Sequence, residues 1–485
     1  MNAPPLRSTA RRLLSRATRL GAVALVCLVA ACSEPPGAKR AANAILITCD
    51  TLRADRLGVY GYERATSPEL DAFARDALVF DRAYSCAPWT QPALSSLLTG
   101  RPPEEIGVTP GNTKRMGKSV ETLAETLRAR GFATAACVSN GLVRKVPPNF
   151  AGIGLEQGFE HYDSEMTARE KNRVAFERDA SGTTDAALAW LATRPRDGRF
   201  FLWVHFQDPH GPYLPPPELA AEFARTPKDE KLPLGTTQRG LGQIPQYQNL
   251  DGENRPDVYR DRYDAEIRYF DREFGRLIAE LRARGLLDDS IVVFTADHGE
   301  SLGEHDQYFC HGENVQREQV HVPLLVRPPG GVSKGAERDR RGYARSNAHV
   351  NHLDVAPTLF EALDLPALAG WRGLPLSEPS TLPRERALVQ SFVAQRKNVS
   401  EWAIGDGRWR LLWRERDEPR LYDVLVDPGE LRDLAAEQPE VVARLQAAYA
   451  EYERSLGAQD GVETALDDET SKGLEALGYV EAPNR

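Results

Sequence analysis

Ala44-Ile45-Leu46-Ile47-Thr48-Cys49-Asp50 is a short apolar run that ends on a carboxylate. A run this continuous has no polar side to turn toward water. It suits a strand buried on both faces of a parallel sheet. Similar runs recur at Thr134–Val138, Phe200–Phe206, Ile291–Thr295 and Val322–Val326. Helical patterns lie between them. Val120, Leu123 and Leu127 form one apolar face, ended by Gly131. Ile267, Phe270, Phe274, Leu277, Ile278 and Leu281 form another, ended by Gly285. Spacings of three and four are the amphipathic period, and Gly just past the end is a usual stop. Strands alternating with helices predict an α/β sheet.

Around this core the pattern changes twice. Pro212 to Asp257 is long, Pro/Gly-rich and irregular, as lids and binding loops often are. Beyond Pro366, short strand candidates follow one another at Ala387–Val393, Trp402–Ile404, Trp409–Trp413 and Leu421–Val424. A helix then opens at Pro439, with Val442, Leu445, Tyr449 and Tyr452 on one face. This predicts a smaller C-terminal α+β subdomain. The expected divisions are 1–31 leader, 32–42 linker, 43–366 main domain, 367–456 subdomain and 457–485 tail.

The 485 residues carry a formal net charge of −9 with both signs mixed, so no clustered basic surface speaks for nucleic acid. Arg7, Arg11, Arg12, Arg16 and Arg19 precede a short apolar stretch, Gly21 to Ala31. That is the form of an export leader and too short to span a bilayer comfortably. It ends Val29-Ala30-Ala31-Cys32-Ser33, which resembles a bacterial lipobox. The expectation is an exported envelope protein, lipidated at Cys32 and held to the membrane by that anchor. Cys49, Cys86, Cys137 and Cys310 are widely spaced and offer no metal-type pair. They fit buried thiols or a disulfide equally.

Three of the apolar runs lead to ionisable groups: Asp50, then Asp208 and His210, then Asp297 and His298. Ligands bind at the carboxyl ends of strands in open α/β sheets. If the strands are neighbours, their tips gather carboxylates and imidazoles, which bind divalent metals. A second feature is Trp89-Thr90-Gln91-Pro92-Ala93-Leu94-Ser95-Ser96-Leu97-Leu98-Thr99-Gly100-Arg101. Pro92 suits a first helical turn and Gly100 a stop. Thr90 then stands at a helix N-terminus, where free N–H groups favour anions and a metal can activate a hydroxyl. Taken alone, the segment gives Thr90 an N-cap role first.

The same segment resembles the sulfatase signature. Aligning on Leu97-Leu98-Thr99-Gly100-Arg101 puts Thr90 at the nucleophile, Pro92 at the proline and Leu94 where the family has Arg. Asp50-Thr51-Leu52-Arg53-Ala54-Asp55 resembles the first metal motif, with Thr51 in place of a second Asp. Thr295-Ala296-Asp297-His298-Gly299-Glu300 resembles the second, and His311-Gly312 follows it. Trp203 to Tyr213, Leu353 to Leu359, Leu421-Tyr422-Asp423 with Asp427 to Glu430, and Leu474 to Val480 are further marks.

This resemblance implies an alkaline-phosphatase-like fold: a large, mixed, mostly parallel sheet flanked by helices. It implies a metal-dependent hydrolase of small or glycan sulfate or phosphate esters. One divalent ion, Zn or Mn ahead of Ca, would be held by Asp50, Thr90, Asp297 and His298. His210 and His311 would contact the transferred group. Thr cannot become the aldehyde that usual sulfatases make from Cys or Ser, so Thr90 itself would attack. Cys86-Ala87-Pro88 imitates the modified motif out of register, and Cys86 is read as a decoy. His205 and His305 fall near the site with either a structural or a supporting role. Arg53, Asp55 and Asn140 are read as structural supports. Two rival expectations are a phosphoryl or phosphoethanolamine transferase on envelope glycans or lipids, and a catalytically degenerate binding lipoprotein. Transferases of that kind carry several transmembrane helices, of which this sequence shows none, and a binding lipoprotein need not retain a stoichiometric metal ion, so metal content separates it from the hydrolase.

Overall fold

Each of the five apolar runs forms a strand, as their lack of a polar face requires. The computed structural model describes residues 40–108, 114–145, 153–169, 176–194, 198–226, 228–383, 386–394, 399–415, 417–456 and 462–463. The 1–31 leader, Cys32 and the Leu474–Val480 mark lie outside the described residues. The main sheet has eight strands: β1 Asn43–Cys49, β2 Leu78–Tyr84, β3 Ala133–Val138, β4 His161–Asp163, β5 Phe200–Phe206, β6 Ser290–Ala296, β7 Leu324–Arg327 and β8 Ala344–Asn351. Their order is β8-β2-β7-β6-β1-β5-β3-β4. Only β7 runs against its neighbours, β2 and β6; the other pairs are parallel. The expected α/β class with a large, mixed, mostly parallel sheet therefore holds.

Central β1 is buried along its whole length. Ile45 is paired with Leu202 of β5 on one side and Val292 of β6 on the other. The strand that decides the fold is thus the middle of the sheet, and its carboxyl end meets those of β5 and β6. Three strands, β2, β4 and β8, have no apolar run to announce them. β2 carries Asp81 and Arg82, and β8 is a polar edge strand. Arg345 of β8 pairs with Asp81 of β2 over 2.8 Å.

Helices cover the sheet: α1 Thr90–Thr99, α2 Leu123–Ala129, α3 Ala180–Ala192, α4 Pro256–Ala283 and α5 Val355–Ala362. α4 lays Phe270 and Phe274 on Phe294 of β6, with ring centroids 5.8 and 5.4 Å apart. α2 starts after Val120, because the Thr122 side chain accepts the Glu125 N–H and Glu125 answers the Thr122 N–H in a capping box.

The segment from Pro212 to Arg255 contains a short helix, Pro217–Phe223, and a 3-10 turn, Gln246–Gln248; its other described residues are irregular. The C-terminal subdomain is an antiparallel meander of β9 Leu388–Ala394, β10 Val399–Gly405, β11 Trp409–Arg414 and β12 Arg420–Asp423. Helix α6, Pro439–Ser455, packs on it through the fully buried Leu445. Among the described residues no helix is long and apolar enough to cross a membrane.

Candidate active site

Asp50 follows the last residue of β1, and Asp297 follows the last residue of β6. Because β1 and β6 are in-register neighbours, the two carboxylates leave the sheet side by side, both fully buried. Asp297 Oδ1 accepts the N–H groups of Thr51 and His298 at 3.2 and 2.7 Å. Asp50 Oδ2 accepts from Asn140 Nδ2 at 2.6 Å. The other oxygens, Asp50 Oδ1 and Asp297 Oδ2, are buried without a hydrogen-bond partner. Burial, and then the Asp50 charge, pushes the Asp297 carboxyl far above its usual range. Burial alone would raise Asp50 too, but the surrounding imidazoles, His210 first, hold it below the usual range. Two carboxylates this close cannot both ionise without a cation between them.

His298 supplies the third group. Its Nδ1–H donates to Gly299 O at 2.9 Å, since a carbonyl can only accept. That leaves Nε2 as a bare acceptor, 3.6 Å from Asp297 Oδ2 and 3.7 Å from Asp50 Oδ1. Burial, followed by His311, pushes the His298 imidazole down to about 3, so it stays neutral. Thr90 comes from the opposite side. It is the first residue of α1, with Trp89 in the cap position and Pro92 in the first turn. Its hydroxyl therefore makes no cap; Oγ1 lies 3.3 Å from His298 Nε2 and acts on the Asp297 carboxylate. The structure thus brings Asp50, Thr90, Asp297 and His298 to one point.

His210 and His311 face this point from the β5 end and from the loop after β6. Their rings are 5.1 Å apart, and the His311 ring is 4.6 Å from that of His298. His311 Nδ1 lies 3.2 Å from Glu300 Oε1, and Trp89 packs edge-on against the ring. His205 is closer in than its sequence position suggested. Its Nε2 lies 3.7 Å from Asp50 Oδ2 and, like the orphan carboxylate oxygens, is buried without a partner. Its Nδ1 is 2.9 Å from Thr48 Oγ1, the register partner on β1. Asn140 also sits directly on the cluster, where sequence reasoning gave it a support role. Its place at the end of neighbouring β3 was the available signal.

Three other residues fall elsewhere. Asp208 does not join the cluster; it pairs with Glu266 of α4. Burial pushes Asp208 up to about 7, and burial together with the Asp208 charge raises Glu266. Cys86 is not part of the group of ligand atoms around Asp50 and Asp297. Its thiol, raised by burial, faces Ser96, Glu104 and the Leu353 backbone. His305 lies in a left-handed turn at φ 52°, half-buried. Arg53 stands behind the site, donating to Asp55 Oδ1 at 2.9 Å, Glu304 Oε1 at 2.9 Å and Glu300 O at 3.0 Å. Cys49, Cys86, Cys137 and Cys310 are all free, buried thiols.

The donor set fits a divalent cation. One ligand atom each of Asp50, His205 and Asp297 lies within 4.8 Å of the others. Orphaned carboxylate oxygens, a bare imidazole nitrogen and a hydroxyl converge in a buried space, which is costly without a positive partner. Mixed oxygen and imidazole donors suit divalent metal ions.

Comparison with known proteins points to one family. The sulfatase family model matches residues 42–365. Choline-sulfatase of Rhizobium meliloti (strain 1021) is 25% identical over 437 residues, covering 81% of this chain and 82% of its own. N-acetylglucosamine-6-O-sulfatase of Bacteroides thetaiotaomicron is 23% identical over 513 residues, covering 87% of this chain and 89% of its own. Among solved structures, the phosphonate monoester hydrolase of Agrobacterium radiobacter superposes with a TM-score of 0.67 at 21% identity, covering 85% of this chain and 95% of that one.

Proposed function

The chain belongs to the sulfatase family of ester hydrolases, and on that premise we propose that it cleaves sulfate or phosphate esters by attack of Thr90. The observation that carries this reading is Thr90 Oγ1, 3.3 Å from His298 Nε2, beside the orphan oxygens of Asp50 and Asp297. Asp50, Asp297, His298 and Thr90 would hold one divalent cation, Zn or Mn ahead of Ca, with His205 beside Asp50. When bound, it supplies the charge that lets both carboxylates ionise and favours the Thr90 alkoxide.

Thr90 Oγ1 then bonds to sulfur or phosphorus as the bond from that atom to the alcohol oxygen breaks. The Thr90 proton ends on the departing alcohol. His210 and His311 hydrogen-bond the non-bridging oxygens, and the N-terminus of α1 adds positive potential. Water attacks the threonyl ester, the Oγ1 bond breaks, and the hydroxyl is restored. Small or carbohydrate-linked esters are the proposed class, in keeping with what the relatives' names say of them. The leader sequence supports an exported enzyme, anchored through lipidated Cys32 and facing the periplasm or exterior.

The test is turnover of matched aryl sulfates and aryl phosphate mono- and diesters with Zn, Mn or Ca. Thr90→Ala should lower kcat by at least about 10³-fold, while Thr90→Ser retains measurable rate. A Thr90→Ala enzyme with wild-type turnover would remove Thr90 from the chemistry.

A further inference from the structure

The loop from His311 to His321 leads from the buried cluster back to β7, and its second half, the helical turn Arg317–Val320, is tied to the main domain by Gly299 N to Gln319 O at 2.9 Å, Ser85 N to Val320 O at 2.7 Å and Gln319 Nε2 to Ser301 Oγ at 2.8 Å. Gln316 N donates to Asn314 Oδ1 at 2.9 Å, and Gln319 N to Gln316 O at 3.0 Å. Its first half, around Val315, is gripped by the C-terminal subdomain. Val315 is fully buried in a cluster whose other members, Ala403, Leu412, Tyr422 and Val424, all belong to that subdomain. Arg410 of β11 donates to the Val315 carbonyl and to Glu430 Oε1. Glu430 Oε2 accepts the Arg317 N–H at 3.0 Å. The Arg410 and Glu430 side chains are 2% and 0% exposed. One ion pair thus takes an acceptor and a donor of the loop backbone, two residues apart, and ties both to β11.

Such a pair is a poor source of stability, since burying two charges offsets most of their attraction. What it adds to an apolar contact is direction, and here the direction is toward the loop that presents His311. Glu430 holds φ 53°, a strained value for a residue with a side chain. The far end of the loop has no slack. Gly312 has φ 67°, and a Cβ on it would lie 1.8 Å from Trp89 Cε3. Val315 lies four residues from His311, whose ring packs against Trp89 and His298 with centroids 5.5 and 4.6 Å away. Resting on the reading that His311 meets the transferred group, we propose that the buried Arg410–Glu430 pair is a positioning device for His311, so that the C-terminal subdomain sets the geometry of the site.

A double-mutant cycle on the full-length protein tests this. Glu430→Gln should lower kcat about tenfold with KM changed less than about twofold, as a small misplacement does. In a His311→Ala background the same change should cost less than about twofold, because the pair acts through His311. Arg410→Lys keeps the charge but drops one arm, and it serves where Glu430→Gln fails to fold. Losses that multiply overturn the proposal and leave the reading of the site standing. A His311→Ala enzyme at the wild-type rate overturns the role of His311 and the proposal with it.

Discussion

Thr51 has φ 55°, a left-handed conformation that a β-branched residue adopts only under constraint. The constraint is visible. Its N–H donates to Asp297 Oδ1 at 3.2 Å, and its carbonyl accepts from Tyr263 Oη at 2.7 Å. The strained turn aims Asp50 at Asp297, and Asn140 completes the arrangement by donating to Asp50 Oδ2. Orienting partners of this kind usually matter 10–100-fold for metal affinity. Asn140→Ala should therefore weaken binding of Zn or Mn by about 10–100-fold, read by competition with a chelating dye. Unchanged affinity would return Asn140 to a purely structural role. At this scale the strand-end residues Asp50, Asp297 and His298 were legible, because a buried run that stops on a charge is conspicuous. His205 was under-read, since an imidazole inside Phe200–Phe206 looks like core. Asp208, at the end of the same run, was left out of the predicted site, and the structure sets it beside Glu266 of α4.

Elements were legible where burial is complete and obscure where it is shared. β1, β5 and β6 have two buried faces, so composition alone marks them. β2 and β8 carry polar side chains that find partners, Arg345 with Asp81 between the two strands and Arg82 with the Gly407 carbonyl in the C-terminal subdomain, so their strand character is masked. Helix starts depended on caps. α2 opens at Leu123 because Thr122 closes its first turn, although the apolar period runs back to Val120. The Thr122 hydroxyl accepts from Glu125 N at 3.1 Å and donates to Gln157 O at 2.9 Å. Thr122→Ala should cost about 1–2 kcal/mol of unfolding free energy by urea titration, with Thr122→Ser close to wild type. An Ala variant with unchanged midpoint would mean that packing against the sheet, not the cap, fixes this helix.

Over the whole molecule, stability depends on buried imidazoles that the site does not use. His352 is 1% exposed; its Nε2–H donates to Ala296 O at 3.0 Å, and its Nδ1 is buried without a partner. Burial pushes it down to about 3, only partly opposed by the bond to Ala296. His321 and His349 are lowered for the same reason, to about 3 and about 4. Above about pH 6.5 the imidazole is neutral in both folded and unfolded chains, and it adds no pH dependence. Below that value the unfolded chain binds a proton that the folded one refuses. Stability is therefore lost as pH falls from about 6.5 toward the folded value, by about 1.4 kcal/mol per pH unit for each such group. Buried carboxyls such as Asp271, raised to about 7 by burial, work the other way, so total stability against pH mixes both. A difference measurement isolates one group. His352→Gln keeps a donor for Ala296 O but cannot be protonated. Its stability relative to wild type, from urea unfolding, should be flat between pH 8 and 7 and then improve steadily toward pH 4.5. A constant difference across that range would mean that His352 takes its proton inside the folded protein, with the Nδ1 side open to water.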